Sequence, residues 1–150
     1  MNAALFSSAT GEWSTPQDFF DEVDARFHFA LDVCATKENA KCELYYDVGQ
    51  DGLSRPWFAR AWCNPPYGRG IGAWTAKAEG TASVLLVPAR TDTKWFVRAF
   101  AHAAELFLVA GRLKFGGAEN SAPFPSCMFH FNPKYQGACR VSYWNPHASS

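Results

Sequence analysis

The chain has 150 residues, 48% apolar and 16% aromatic, which is enough to fill the core of one globular domain and excludes a disordered segment. Fourteen acidic and fourteen basic residues cancel to a formal net charge of zero, which excludes a protein that coats nucleic acid by charge alone. No apolar run approaches the roughly 20 residues that cross a bilayer, and the opening MNAALFSSAT carries no basic end and no sustained apolar stretch, so a cytoplasmic protein without a membrane partner is expected. Taken in order, Thr15-Pro16 before QDFFDEVDARF predicts a helix, with Thr15 as N-cap, Pro16 at the first helical position and acids in the opening turn. Phe19, Phe20, Val23 and Phe27 mark its apolar face. HFALDVCA predicts a buried strand ending at Asp32, and KCELYYDV a second strand before the Gly49-Gln50-Asp51-Gly52 turn.

Further on, RAWCNPPYG reads as a strand running into a rigid loop, and Ile71 to Gly80 as a short helix stopped by glycine. TASVLLVPA is the clearest buried strand. DTKWFVRAFAHAAE predicts a helix with Trp95 or Phe96, Ala99 or Phe100, and Ala103 on its inner side; LFLVAGRLKF and SCMFHFNP predict two more strands joined by GGAENSAPFP. Strands alternating with helices predict a single α/β domain whose central sheet is mostly parallel, with helices on both faces. In such sheets ligands bind outside the carboxyl ends of the strands. The unusual residues at those exits are Asp32, Asp51, Asn64 through Tyr67, and Pro88-Ala89-Arg90, which are expected along one sheet edge.

The zero net charge hides an asymmetry, since residues 1–51 hold 10 acids and 3 bases (net −7) and residues 52–150 hold 4 acids and 11 bases (net +7). The basic stretch suits phosphates, although the halves can equally attract one another. Five cysteines, odd in number and without a C-x-x-C pair, suggest small core residues and neither a disulfide framework nor a metal site. The histidines His28, His102, His130 and His147 share no spacing and have no evident carboxylate partner, so structural or exposed positions are expected for them.

Trp13-Ser14-Thr15-Pro16, Leu31-Asp32-Val33-Cys34-Ala35, Asp51-Gly52-Leu53, Asn64-Pro65-Pro66-Tyr67-Gly68, Pro88-Ala89-Arg90 with Thr91 through Phe96, and Gly111 through Phe115 follow one another in an informative order. Over residues 13–132 this order resembles the phage-type DNA N6-adenine methyltransferases. The resemblance implies a Rossmann-like fold, S-adenosylmethionine as methyl donor, and phage or prophage DNA as partner. NPPY by itself is shared with methyltransferases acting on RNA bases and protein glutamine, which stay open as acceptors. A silent nucleic-acid or cofactor-binding domain also stays open, because C-A-T stands where better-known methyltransferases carry G-x-G. Nothing in the sequence selects an oligomeric state or a DNA target.

The chemistry explains why such residues are wanted. The amine of adenine is a poor nucleophile because its lone pair is delocalised into the ring, and two acceptors facing its hydrogens favour a pyramidal nitrogen. Asn64 Oδ1 and the Pro65 carbonyl are the candidate acceptors; Pro66 restricts Pro65 and so holds that carbonyl's direction before substrate arrives. Tyr67 is expected to offer a face to the flipped base, worth roughly 1–3 kcal/mol. From the resemblance come the cofactor residues: Asp32 and Cys34 in LDVCA, Asp51 for the ribose hydroxyls, Thr15 and Pro16 at the methionine end, and Trp13 over the donor's adenine. Asp32 has the plainer alternative of a helix cap and Asp51 that of a tight turn. Arg69, Arg90, Lys94, Arg98, Arg112 and Lys114 are the expected phosphate contacts, and the GGAENSAPFPS connection a base-contacting or lid segment.

Overall fold

A computed structural model describes residues 14–117 and 121–146. Trp13 therefore lies outside the described residues. Among the described residues three α-helices, α1 (Gln17–Phe27), α2 (Ile71–Ala78) and α3 (Lys94–His102), accompany seven strands. The strands are β1 (Leu31–Asp32), β2 (Leu44–Tyr45), β3 (Ala61–Cys63), β4 (Ser83–Pro88), β5 (Glu105–Val109), β6 (Ser126–Phe131) and β7 (Arg140–Trp144), ordered β2-β1-β3-β4-β6-β5-β7 in one sheet.

The sheet is mixed. β1 pairs in parallel with β2 and β3, β3 with β4, and β5 with β7, whereas β6 runs antiparallel to both neighbours, β4 and β5. A mostly parallel middle is thus corrected at β6, which SCMFHFNP could not reveal because a strand buried on both faces reads the same in either direction.

Alternation along the strands builds two cores. Ala61, Cys63, Leu85, Val87, Cys127 and Phe129 face α2 and α3 on one side, while Trp62, Val84, Leu86, Phe107 and Met128 face α1 on the other. Helix α1 supplies Phe19, Phe20, Val23 and Phe27 to the second core, as its periodicity predicts. Fully buried Trp62 meets Phe20 edge-on with ring centroids 5.3 Å apart. Truncation of such a residue costs about 3–5 kcal/mol.

Several boundaries differ from the sequence reading. Pro16 is the N-cap of α1 and no side chain caps it, so Thr15 is released from the capping role. Helix α3 ends at His102 and Glu105 opens β5, because the strand pairs with β6 and takes residues that AFAHAAE would otherwise keep helical. β5 stops at Val109, short of GRLKF. β7 was not anticipated, and its mostly exposed residues explain why no apolar pattern announced it. His130 does have a carboxylate partner, Glu105 at 2.8 Å, brought opposite by the β5–β6 register.

Candidate active site

β3 lies between β1 and β4, all parallel, so their carboxyl ends emerge together. Asp32, Asn64 and Pro88 stand at these exits, as the sheet rule requires. Asp51 does not: β2 ends at Tyr45, and Asp51 sits six residues later in an exposed turn with φ of 56°, its Oδ1 accepting from Leu53 N at 3.2 Å. The turn is nevertheless docked on the sheet. Gly52 is buried against β1's exit, where a Cβ would fall 2.1 Å from the Val33 carbonyl oxygen, so only glycine fits.

Asn64, only 2% exposed, is gripped at both ends of its amide. Its Nδ2 donates to Thr15 Oγ1 at 3.2 Å, and its Oδ1 accepts from the Tyr67 hydroxyl at 2.8 Å. Tyr67 also reaches the Leu86 carbonyl at 3.3 Å. Burial pushes the Tyr67 phenol well above its usual pKa, keeping it a neutral donor. Its ring meets Phe115 and Phe124 edge-to-face, at 6.2 and 5.6 Å between centroids. The Pro65-Pro66 step carries this constellation directly out of β3.

Beside Asn64 is a small pocket of about 10 Å³ lined by Thr15, Asp32, Cys34, Asn39, Lys41 and Asn64. The Asp32 carboxylate accepts from the backbone N–H groups of Lys41 at 3.0 Å and Cys34 at 3.3 Å. Burial raises its pKa to about 7, against the downward pull of those two bonds and of the Lys41 charge. Two contacts involve its lining residues: Asn39 Nδ2 donates to Ser14 Oγ at 3.2 Å, and Lys41 Nζ to Gln17 Oε1 at 2.9 Å.

On the other side, Tyr67 lines an open cavity of about 600 Å³ with Arg69, Arg90, Trp95, Pro123 and Phe124. The Arg90 guanidinium stands 6.0 Å above the Phe124 ring. A third hollow, of about 350 Å³, holds Asp18, Arg112 and Lys114 beside Pro16 at the start of α1.

A family model for DNA N-6-adenine-methyltransferase (Dam) matches residues 3–146. The chain belongs to that family. Among its relatives is the DNA N-6-adenine-methyltransferase of Escherichia phage T1, 32% identical over 108 residues, a stretch covering 67% of this chain and 45% of the phage protein. The YfdM protein of Escherichia coli (strain K12), whose name ranks it with the methyltransferases, is 34% identical over 64 residues, covering 37% of this chain and 70% of that protein. This Dam-family chain thus spans less than half the length of its phage T1 relative.

The structure brings Thr15, Asp32, Cys34 and Asn64 together, sets Arg69 and Arg90 on the open cavity, and groups Pro16 with Arg112 and Lys114. Lys94 is exposed at the start of α3, and Arg98 is bound to Glu79 at 2.7 Å. Sequence reasoning missed Ser14, Asn39 and Lys41 at the Asp32 pocket; the polar run TKENAK directly after LDVCA was the available signal. Of Trp95 and Phe96, offered as alternatives for the inner side of α3, Phe96 is the buried one, and Trp95, half-buried against the same core, also lines the cavity. Pro123 and Phe124 come from the connection expected to contact a base.

Proposed function

We propose that this protein transfers a methyl group from S-adenosylmethionine to the N6 amine of adenine in DNA, as one Rossmann-like methyltransferase domain over residues 1–150. The observation that carries the reading is Asn64: a buried amide held at both ends on a double-proline turn, between a pocket with a buried carboxylate and a cavity of arginines and aromatic rings. Family membership supports it.

S-adenosylmethionine, when bound, supplies an electrophilic methyl group and needs a counter-charge for its ammonium. Asp32 suits that need, flanked by Thr15 and Cys34, with Asp51 on the neighbouring docked turn for the ribose hydroxyls. Asn64 Oδ1 and the Pro65 carbonyl then accept the two N–H hydrogens of the target amine, localising the nitrogen lone pair for attack, and Pro66 keeps the carbonyl aimed. Adenine must leave the duplex stack to reach them. The open cavity offers Tyr67, Phe124 and Trp95 for the base, with Arg69 and Arg90 for the flanking phosphates. Lys94, Arg112 and Lys114 extend the basic surface, whereas Arg98 is engaged by Glu79. The working compartment is the cytoplasm of a bacterial host.

Incubation of the purified chain with methyl-labelled donor and, in parallel, unmethylated DNA, RNA and protein extract tests the reading. We expect N6-methyladenine in DNA, lost by 10²-fold or more in Asn64→Ala, on the order of one removed transition-state acceptor. Label in RNA or on glutamine would replace the acceptor. Donor binding with no transfer to any of them would overturn the enzyme reading.

A further inference from the structure

β7 stands at one end of the sheet and, among the described residues, pairs on one side only, with β5. The strand at the other end, β2, is two residues long, which is one way proteins blunt an exposed edge. β7 is not blunted in this way. Its register with β5 runs unbroken over five residues, and RVSYW holds no proline and a single charge, Arg140, at its first position. Val141 and Tyr143 are 51% and 73% exposed, on the face shared with buried Leu106 and half-buried Leu108 of β5. We infer that β7 is a self-association edge, which pairs antiparallel with β7 of a second copy of this chain about a two-fold axis at Ser142.

The register follows from where the backbone groups point. Arg140 N donates to the Ala104 carbonyl at 3.0 Å, and the Trp144 carbonyl accepts from Ala110 N at 2.9 Å, so residues 140 and 144 turn their polar groups towards β5. Alternation along the strand does the same for Ser142 and turns the N–H and C=O groups of Val141 and Tyr143 outward. An antiparallel neighbour bonds such groups in reciprocal pairs. Centring on Ser142 sets Val141 against the second copy's Tyr143 and Tyr143 against its Val141, so the outward groups of both residues are used in both copies.

The side chains agree with this register. Val141 and Tyr143 become a β-branched and aromatic cross-strand pair on one face. On the other face Arg140 stands opposite the second copy's Trp144, a cation beside an indole, and no charge meets its like. A parallel, in-register copy would instead set Arg140 beside Arg140. The edge is thus self-complementary, as a two-fold interface must be. The second copy's strands run the opposite way, so the two Asn64 turns, each at the carboxyl edge of its own parallel strands, lie on opposite edges of the joined sheet.

Sedimentation velocity of the full chain over a wide concentration range reads the association. We expect a species of twice the chain mass that grows with concentration. Val141→Lys with Tyr143→Lys keeps every backbone group but sets like charges across both pairs, and should weaken the association about tenfold or more. Val141→Glu with Tyr143→Lys sets opposite charges across the same pairs and should recover most of it. Ser142→Cys tests the axis, because residues opposite one another in a non-hydrogen-bonded pair have Cα atoms about 4.5 Å apart, within disulfide reach. Oxidation by diamide should cross-link this variant into dimers beyond the level of the parent, whose Cys139 falls opposite the second copy's Asn145. None of these residues belongs to the proposed methylation site, so the result stands apart from that reading.

A parent that stays monomeric would overturn the inference, and protection of its Val141 and Tyr143 amides from hydrogen exchange would give the edge to a segment of the same chain. Association unchanged by the two lysines, or no recovery with the opposite charges, would overturn it equally by placing the interface elsewhere. Should the lysine variant lose cooperative melting, absence of the Ser142→Cys cross-link still overturns the inference.

Discussion

The two sides of the Asn64-Pro65-Pro66-Tyr67 turn are built on different physical terms. The side of Asp32 is narrow, about 10 Å³, and keeps a carboxyl group almost wholly out of water. The side of Tyr67 is open, about 600 Å³, and carries its charges as exposed arginines beside aromatic rings. The narrow side assembles from β1 and β3, parallel neighbours, together with the segment before α1. The open side exists because β6 is antiparallel: Ser126 begins it opposite Pro88, where β4 ends, so Pro123 and Phe124 arrive at the same edge. Ala89 N donates to the Pro125 carbonyl at 2.9 Å and pins the junction. The difference teaches that one rigid turn can carry a buried carboxyl group on one side and solvent-exposed cationic charge on the other.

The largest expected effect breaks the narrow side. Asp32 has its pKa raised from 3.8 to about 7, so the folded chain holds a proton that the unfolded chain releases. A raised carboxylate costs stability as pH climbs from about 4 to about 7, on the order of 4 kcal/mol by linkage, and the loss is complete above 7. Asp32→Asn should flatten this dependence, making the variant more stable than the parent above pH 7 in melting experiments from pH 4 to 8. Donor affinity should move the other way, strengthening in the parent as pH rises through about 7 and staying weak and flat in the variant. Parallel melting profiles for the two proteins would break the comparison.

A smaller effect tests the open side. Reversing Arg69 and Arg90 to glutamate should weaken DNA binding and lower the slope of log affinity against log salt by about 1–2, at roughly 0.7–0.9 per phosphate contact. If reversal of Arg112 and Lys114 carries the whole loss instead, the DNA lies against the third hollow and the open cavity serves something else. The smallest effect is a control. Arg98→Ala breaks a surface pair with Glu79 and should leave DNA affinity and the melting temperature nearly unchanged, because exposed pairs contribute little. A large drop in DNA affinity would return Arg98 to the binding surface.

Legibility in the sequence followed the local signals. The apolar face of α1 was readable because Phe19, Phe20, Val23 and Phe27 repeat at helical spacing, and β4 because a continuous apolar run has few alternatives. Asn64 was singled out by two prolines after a buried strand, a combination that ladder hydrogen bonding disfavours. Asp51 was misplaced at a strand exit because KCELYYDV reads as one long strand, whereas the edge position of β2 leaves only Leu44 and Tyr45 paired. Thr15 was read as a helix cap because the cap rule is local, and its partner is Asn64, far along the chain.

By itself, the sequence determined which segments would fold into α1, β3, β4 and α3, that Asn64 and Asp32 would stand at strand ends, and the family order of the motifs, since each depends on neighbours a few residues apart. Only the tertiary structure decided the direction of β6, the existence of β7, the arrival of Phe124 at Tyr67 and the pairing of Thr15 with Asn64. These depend on which strands meet across the sheet. That choice is made by burial and backbone pairing between segments distant in sequence, and leaves no periodic mark in either segment alone.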